Sequence, residues 1–119
     1  MSELIKVVDE REKIVQFIEQ KVRRVWHNEE WYIVINDVVQ VLTDSTNPGQ
    51  YYYNLKRRDF ELKEIMVKRE VFLLINGDIG KRYMKCANIE GIYRFLMRIP
   101  SPKAESLSMW LSQVNVSNN

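Results

Sequence analysis

Residues 45–61, STNPGQYYYNLKRRDFE, decide how the middle of this chain folds. Asn47 is one of the residue types that cap a helix through a side-chain oxygen. Pro48 suits the first helical position, because its φ is fixed near the helical value and its missing N–H would have no partner there. The stretch therefore predicts a helix from residue 48 to about residue 60. Its tyrosines and basic residues indicate two faces of different character.

The helical period divides these side chains between the two faces. Tyr51, Tyr52 and Leu55 fall on one side, and we expect Tyr51 and Tyr52 to anchor the helix on the core. The other side carries polar and basic residues, with Lys56 and Arg58 at its flanks: Gln50, Tyr53, Asn54 and Arg57. Such amide and guanidinium groups read base edges, and lysine and tyrosine contact phosphates. The pattern is also typical of an ordinary solvated helix face.

A shorter helix is predicted directly before this one. Four apolar residues recur at the spacing of a single helix face: Ile35, Val38, Val39 and Leu42. Asn36 is the predicted cap of this helix, and residues 43–46 form a turn. A helix, a compact turn and a polar second helix make a helix-turn-helix-like pair, which is how many proteins enter the major groove of DNA.

The remaining chain predicts strands and two more helices. Residues 14–19 (IVQFIE), 21–27 (KVRRVWH) and 31–35 (WYIVI) have β-type composition, which indicates a hairpin or a small meander. Residues 71–76 and 81–87 flank a tight turn, NGDIG, and predict a second hairpin. Asn88 caps a helix over residues 89–98, with Ile89, Ile92 and Leu96 facing inward, and Pro100 ends it. The last helix starts at Ser101 and Pro102, and four residues form its core stripe: Leu107, Trp110, Leu111 and Val114.

These elements predict an α+β domain, in which a small antiparallel sheet packs with about four short helices. We expect one domain over residues 14–114, because the chain has 119 residues. Residues 1–13 are expected to form a short helix or a frayed arm, and residues 115–119 a frayed tail.

Composition argues against most kinds of chemistry. Cys86 is the only cysteine and His27 the only histidine, so we predict no enzymatic activity, no metal site and no cofactor. A lone cysteine also favours a reducing compartment, and no apolar run reaches the length of a membrane span. A cytoplasmic protein that does not contact membranes is therefore expected. The net charge of +2 is too small to imply nucleic acid by itself, so that argument depends on where the charge lies.

Many short motifs, in the same order along residues 14–114, resemble the Bro-N domain, the N-terminal domain of phage antirepressors and baculovirus repeated-ORF proteins. The motifs are WY (31–32), DV (37–38), LTDS (42–45), NP (47–48), Tyr51, LK (55–56), GKRY (80–83), EG (90–91), IPSPKAE (99–105) and WL (110–111). Within this family, the motifs most resemble the branch that holds DNA-damage-inducible protein D and similar bacterial or prophage proteins.

The resemblance implies a DNA-binding domain of a phage or prophage antirepressor-like regulator. Such domains are usually fused to a C-terminal module, which this sequence lacks, so the chain is expected to be a stand-alone protein or an excised domain. DNA contact through the helix at residues 48–60 is the first hypothesis. The alternative is a protein-interaction module that binds a repressor or another regulatory protein, and a homodimer is compatible with both.

The second predicted hairpin carries a further basic group. Lys81, Arg82 and Lys85 could hold phosphates beside the reading helix. An equally good interpretation is a solvated hairpin edge, whose basic residues prevent strands of other chains from pairing with it.

Overall fold

The structure is a computed structural model that describes residues 2–116, with side chains from residue 12 onward. Within these residues the chain forms six helices: α1 (Ser2–Lys21), α2 (Ile35–Thr43), α3 (Pro48–Arg58), α4 (Phe60–Val67), α5 (Ile89–Met97) and α6 (Pro102–Val116). It also forms four strands: β1 (Arg24–His27), β2 (Glu30–Val34), β3 (Val71–Gly77) and β4 (Gly80–Asn88). The predicted α+β class is confirmed, as are both hairpins.

The two hairpins join into one antiparallel sheet with the strand order β1-β2-β4-β3. Asn28 and Glu29 turn the first hairpin with φ values of 51° and 62°, the left-handed pair that matches strand twist. In the second hairpin Gly77 pairs with Gly80, whose φ of 115° disfavours residues with a Cβ. β2 and β4 then pair between the hairpins, with Val34 opposite Cys86.

The main core lies between one face of the sheet and the helices. Ile33 and Ala87 pair across β2 and β4 and face this core, together with the fully buried rings of Phe95 and Trp110. The apolar stripes of α2 and α6 are buried in this core, as the sequence predicts. A smaller apolar cluster lies on the opposite face of the sheet, because strand residues alternate between faces: Val34, Ile75 and Cys86, with Val25, Tyr32, Leu73 and Met84 against them.

The predicted strand over residues 14–19 is wrong, because α1 runs through it to Lys21. Branched residues favour strands locally, but this preference is weak and tertiary packing overrides it. Ile18 and Val22 stand one helical turn apart and are both buried in the core, whereas Ile14 and Phe17 stay exposed. The strand that follows begins only at Arg24.

Helix boundaries differ from the predictions at two points. α2 begins at Ile35, after Val34, so the predicted cap Asn36 lies inside its first turn. α3 ends at Arg58 rather than near residue 60, because Asp59 adopts an extended backbone and caps α4 by accepting a 3.1 Å hydrogen bond from the Leu62 N–H. The sequence left α4 without an assignment.

The caps of α3 and α5 are confirmed, since the Asn47 and Asn88 side chains accept hydrogen bonds from the Gln50 and Gly91 N–H groups. Ile92 and Leu96 face inward from α5 as predicted, and Ile89 packs partly buried against the core. α6 continues to Val116, so the first part of the predicted frayed tail is helical, and residues 117–119 lie outside the described part. α1 crosses residue 13 without a break, and the predicted domain limits stay predictions.

Candidate nucleic-acid interface

The cap that ends α2 and one aromatic contact position α3 on the body of the protein. Asp44 ends α2 in a left-handed conformation, and its N–H donates a 2.7 Å hydrogen bond to the Gln40 carbonyl. The buried Tyr52 ring meets the Phe95 ring edge-on, with 5.7 Å between centroids. α3 packs on α2 and α4 and keeps its remaining side toward solvent. This is the arrangement expected for the second helix of a helix-turn-helix-like pair, although that motif itself stays a prediction.

The outer face of α3 carries the predicted polar row. The Gln50 side-chain amide donates a 3.2 Å hydrogen bond to the Asn54 carbonyl oxygen. The Arg57 guanidinium lies 5.9 Å from the Tyr53 ring, which is 55% exposed. Tyr51 is a correction: the sequence predicts that it anchors the core, but its side chain is exposed, whereas Tyr52 is buried and Leu55 packs partly buried against the core.

Lys56 is the second correction on this helix, because its side chain turns inward instead of flanking the outer face. Its ammonium donates a 2.7 Å hydrogen bond to Glu70 and lies 4.3 Å from the Tyr52 ring. The Tyr52 hydroxyl donates to the same Glu70 carboxylate, and the Lys85 ammonium lies 3.7 Å from it. Burial and then the Glu70 contact raise the pKa of Tyr52 far above its ordinary range. We call these four residues the Glu70 cluster.

Other basic residues have no such partner. Among the side chains of residues 12–116, no ion pair or hydrogen bond involves four cations that we call the free cations: Arg57, Arg58, Lys81 and Arg82. All four are exposed. Two come from α3 and two from the β3–β4 hairpin, so both predicted basic groups contribute charge that nothing in the described chain neutralises.

A groove of about 510 Å³ joins the two predicted groups. It runs between α3 and the β3–β4 hairpin, and its lining includes four of the predicted site residues: Tyr53, Lys56, Arg82 and Lys85. The other five do not line it: Gln50, Asn54, Arg57, Arg58 and Lys81. The sequence therefore predicted both walls of the groove without predicting that they meet.

Four residues that line the groove or hold its walls together were not among the predicted site residues: Asn36, Glu70, Phe72 and Tyr83. Phe72 and Tyr83 line the groove with rings that are 64% and 69% exposed. The Asn36 amide also lines it, and no hydrogen bond within residues 12–116 involves this side chain. Glu70 lies in a segment of mixed character that gave no signal. Tyr83 stands between Arg82 and Lys85 in the sequence and could have been included, whereas Phe72 comes beside Lys85 only through strand pairing.

A salt bridge fixes the position of α2 and so of the turn before α3. Arg23 makes two side-chain hydrogen bonds to Asp37, of 2.8 and 2.9 Å, and its N–H donates a third to the same carboxylate at 3.0 Å. Hydrogen bonding to Asp37 raises the pKa of Arg23. This pair ties the start of β1 to the first turn of α2.

The cysteine and the histidine, which were considered for catalysis and metal binding, pack against other residues of the fold. Cys86 is fully buried, and burial raises the pKa of its thiol to about 11. The His27 ring lies edge-on against the Tyr32 ring, 5.6 Å away. In the described part of the chain, no three histidine, cysteine or carboxylate side chains stand together as metal ligands. No helix within residues 2–116 is long and apolar enough to cross a membrane.

A comparison with protein families supplies an independent observation. The family model described as the BRO family, N-terminal domain, matches residues 21–116. The chain belongs to this family. The match covers the whole sheet and helices α2 to α6, and it begins at the last residue of α1. The resemblance to the Bro-N domain is thereby confirmed, while the closer branch stays a prediction. No curated protein and no solved structure matches this chain significantly.

Proposed function

We propose that this Bro-N domain binds duplex DNA as part of a phage or prophage antirepressor-like transcription regulator. In this proposal α3 enters the major groove, and the β3–β4 hairpin holds the adjacent phosphates. The observation that carries the proposal is that α3 and the β3–β4 hairpin form the two walls of one groove, and that each of these elements also carries two of the free cations. We further expect the domain to work without a cofactor or enzymatic activity, and in the cytoplasm.

The outer face of α3 has the chemistry for reading bases. Gln50 and Asn54 offer amides, and Arg57 offers a guanidinium, on three positions that recur on one side of the helix. The major groove, about 12 Å wide, admits one helix of this kind. Hydrogen bonding between Gln50 and Asn54, at 3.2 Å, holds both amides in place before DNA arrives.

The free cations supply the phosphate contacts. Each phosphate neutralised by a protein cation releases counterions, and the logarithm of the binding constant then falls with the logarithm of salt concentration by about 0.9 per contact. Four free cations therefore predict a slope of roughly −3.6. Lys56 and Lys85 count for less, because both share the Glu70 carboxylate.

Exposed aromatic rings favour a second candidate function, binding of a repressor or another regulatory protein. Tyr53, Phe72 and Tyr83 expose more than half of their surface around the groove. Aromatic residues of this kind are enriched in the energetically important centres of protein interfaces. A homodimer that uses separate surfaces for DNA and for the partner protein is compatible with both functions.

The test begins with selection of a preferred duplex from a random pool by the wild-type domain. Its affinity is then measured by fluorescence anisotropy for the double variant Asn54→Ala, Arg57→Ala. We expect the free energy of binding to weaken by about 1–3 kcal/mol for each base contact removed, while the free energy of unfolding stays unchanged. Lys13→Ala is the control, because it also removes one positive charge but lies on α1, outside the groove lining.

Two outcomes would contradict the proposal. If the double variant binds the duplex as tightly as wild type, α3 is not the reading helix. If folded wild-type protein selects no duplex and binds none at about 50 mM salt, where counterion release favours association, the protein-interaction function replaces this one.

A further inference from the structure

The tip of the β3–β4 hairpin carries an apolar side chain that the fold does not use. Ile79 is 96% exposed, the highest value among the large apolar side chains of the described chain. It lies in the two-residue turn between Gly77 and Gly80. Such turns favour glycine, asparagine and aspartate, so neither turn geometry nor packing explains an isoleucine here.

The residues beside Ile79 suit a nucleic-acid groove. Asn76 pairs across the hairpin with Lys81, and Arg82 follows directly. All three are exposed, and within residues 12–116 none of their side chains takes part in a hydrogen bond or ion pair. Proteins that enter the minor groove combine arginine, lysine and asparagine with an apolar wedge, such as phenylalanine, leucine or isoleucine, that inserts between base steps.

Asp78 is the one feature of the tip that opposes DNA. The pKa of Arg23 is raised chiefly by its hydrogen bonds to Asp37 and, to a smaller extent, by the charge of Asp78. Asp78 therefore lies within electrostatic reach of Arg23. Because Asp37 already holds the Arg23 guanidinium, Arg23 offsets only a small part of the Asp78 charge.

The hairpin and α3 can reach one duplex together. Arg82 lines the groove beside Tyr53, and Ile79 stands three residues farther along the hairpin. At about 3.4 Å per residue, the tip extends up to about 10 Å beyond that point. The hairpin thus continues beyond the groove-lining Arg82 and ends in an apolar side chain.

We propose that Ile79 is a wedge that enters the minor groove next to the major-groove site of α3 and bends the DNA. Asn76, Lys81 and Arg82 hold the groove walls while the side chain partly unstacks one base step. This inference rests on the proposed duplex binding. It adds that specificity depends on how easily the contacted sequence deforms, with preference for flexible TA or CA steps over stiff A-tracts at the wedge.

The experiment measures bending of the selected duplex, labelled at its two ends, by fluorescence resonance energy transfer. We expect wild type and Ile79→Leu to bring the ends closer, because both keep a bulky apolar tip. Ile79→Ser is expected to lose this change in transfer efficiency. Its salt dependence is expected to match that of wild type, because the phosphate contacts remain. Circular dichroism checks that all three proteins are folded.

Each result separates the wedge from the proposed function. Binding without any change in transfer efficiency, or equal bending by Ile79→Ser, overturns the wedge and leaves duplex binding by α3 intact. Failure of the folded protein to bind duplex overturns both. Vesicles of phosphatidylserine and phosphatidylcholine form the last arm: Ile79-dependent binding to them, without DNA bending, assigns the apolar tip to a membrane surface instead.

Discussion

Two pairs of neighbours on α3, Tyr52 with Tyr53 and Lys56 with Arg57, place similar side chains in opposite surroundings. Tyr52 is buried and donates a hydrogen bond to Glu70, whereas Tyr53 is 55% exposed. Lys56 lies 2.7 Å from Glu70, whereas the Arg57 guanidinium has no acidic partner within the described residues.

The difference shows why a run of basic residues overstates the charge available to DNA. Successive residues of a helix point about 100° apart, so the side chains of Lys56 and Arg57 face different neighbours. Lys56 is bound into the Glu70 cluster, which uses its charge to hold the hairpin against α3. Arg57 stays free. One basic residue is thus part of the scaffold and its neighbour part of the contact surface.

The largest expected effect separates the two tyrosines. We predict that Tyr52→Ala lowers the free energy of unfolding by about 3–5 kcal/mol, because it removes a buried ring and a partner of Glu70. Tyr53→Ala is predicted to change it by less than about 0.5 kcal/mol, because its side chain is mostly solvated. Urea denaturation of both variants measures the free energy of unfolding. Similar losses of stability in the two variants would contradict the difference between Tyr52 and Tyr53.

A smaller effect is expected when the Glu70 cluster is opened. Glu70→Gln keeps the shape of the side chain but leaves Lys56 without its charge partner in half-buried surroundings. We predict a loss of about 3 kcal/mol in stability, the lower end for such pairs because both ends keep some solvent contact. The freed Lys56 and Lys85 are predicted to steepen the salt slope by up to roughly 1.8.

Glu64→Gln is the matched control for this change. It removes the same charge from an exposed position on α4 that takes part in no ion pair among residues 12–116. An equal stability loss in both variants, measured by urea denaturation, would mean that the Glu70 cluster does not hold the hairpin to α3.

Local sequence signals were enough for most of the fold. Each of these signals lies within a short stretch of sequence. They are the capping asparagine and proline of α3, the glycine turn between β3 and β4, and the apolar stripe of α6. The second half of α1 was wrongly assigned to a strand, because the branched residues of 14–19 favour strands locally and the burial of Ile18 and Val22 in the core depends on distant residues.

The candidate site depends on contacts that no local pattern contains. Glu70 is 18 residues from Tyr52 and 14 from Lys56, and its partners become visible only when the hairpin folds back onto α3. The polar row of α3 could be predicted from helical spacing. The inward turn of Lys56, and the groove that joins Tyr53 to Arg82, could not.

The salt dependence of duplex binding tests the central claim most directly, using Lys56→Met and Arg57→Met with wild type between about 50 and 200 mM salt. These variants lose the same charge at adjacent positions. We predict a slope of roughly −3.6 for wild type, a value smaller in magnitude by about 1 for Arg57→Met, and little change for Lys56→Met. Equal changes in both, or a change in Lys56→Met alone, would contradict the division of α3 into a scaffold face and a contact face.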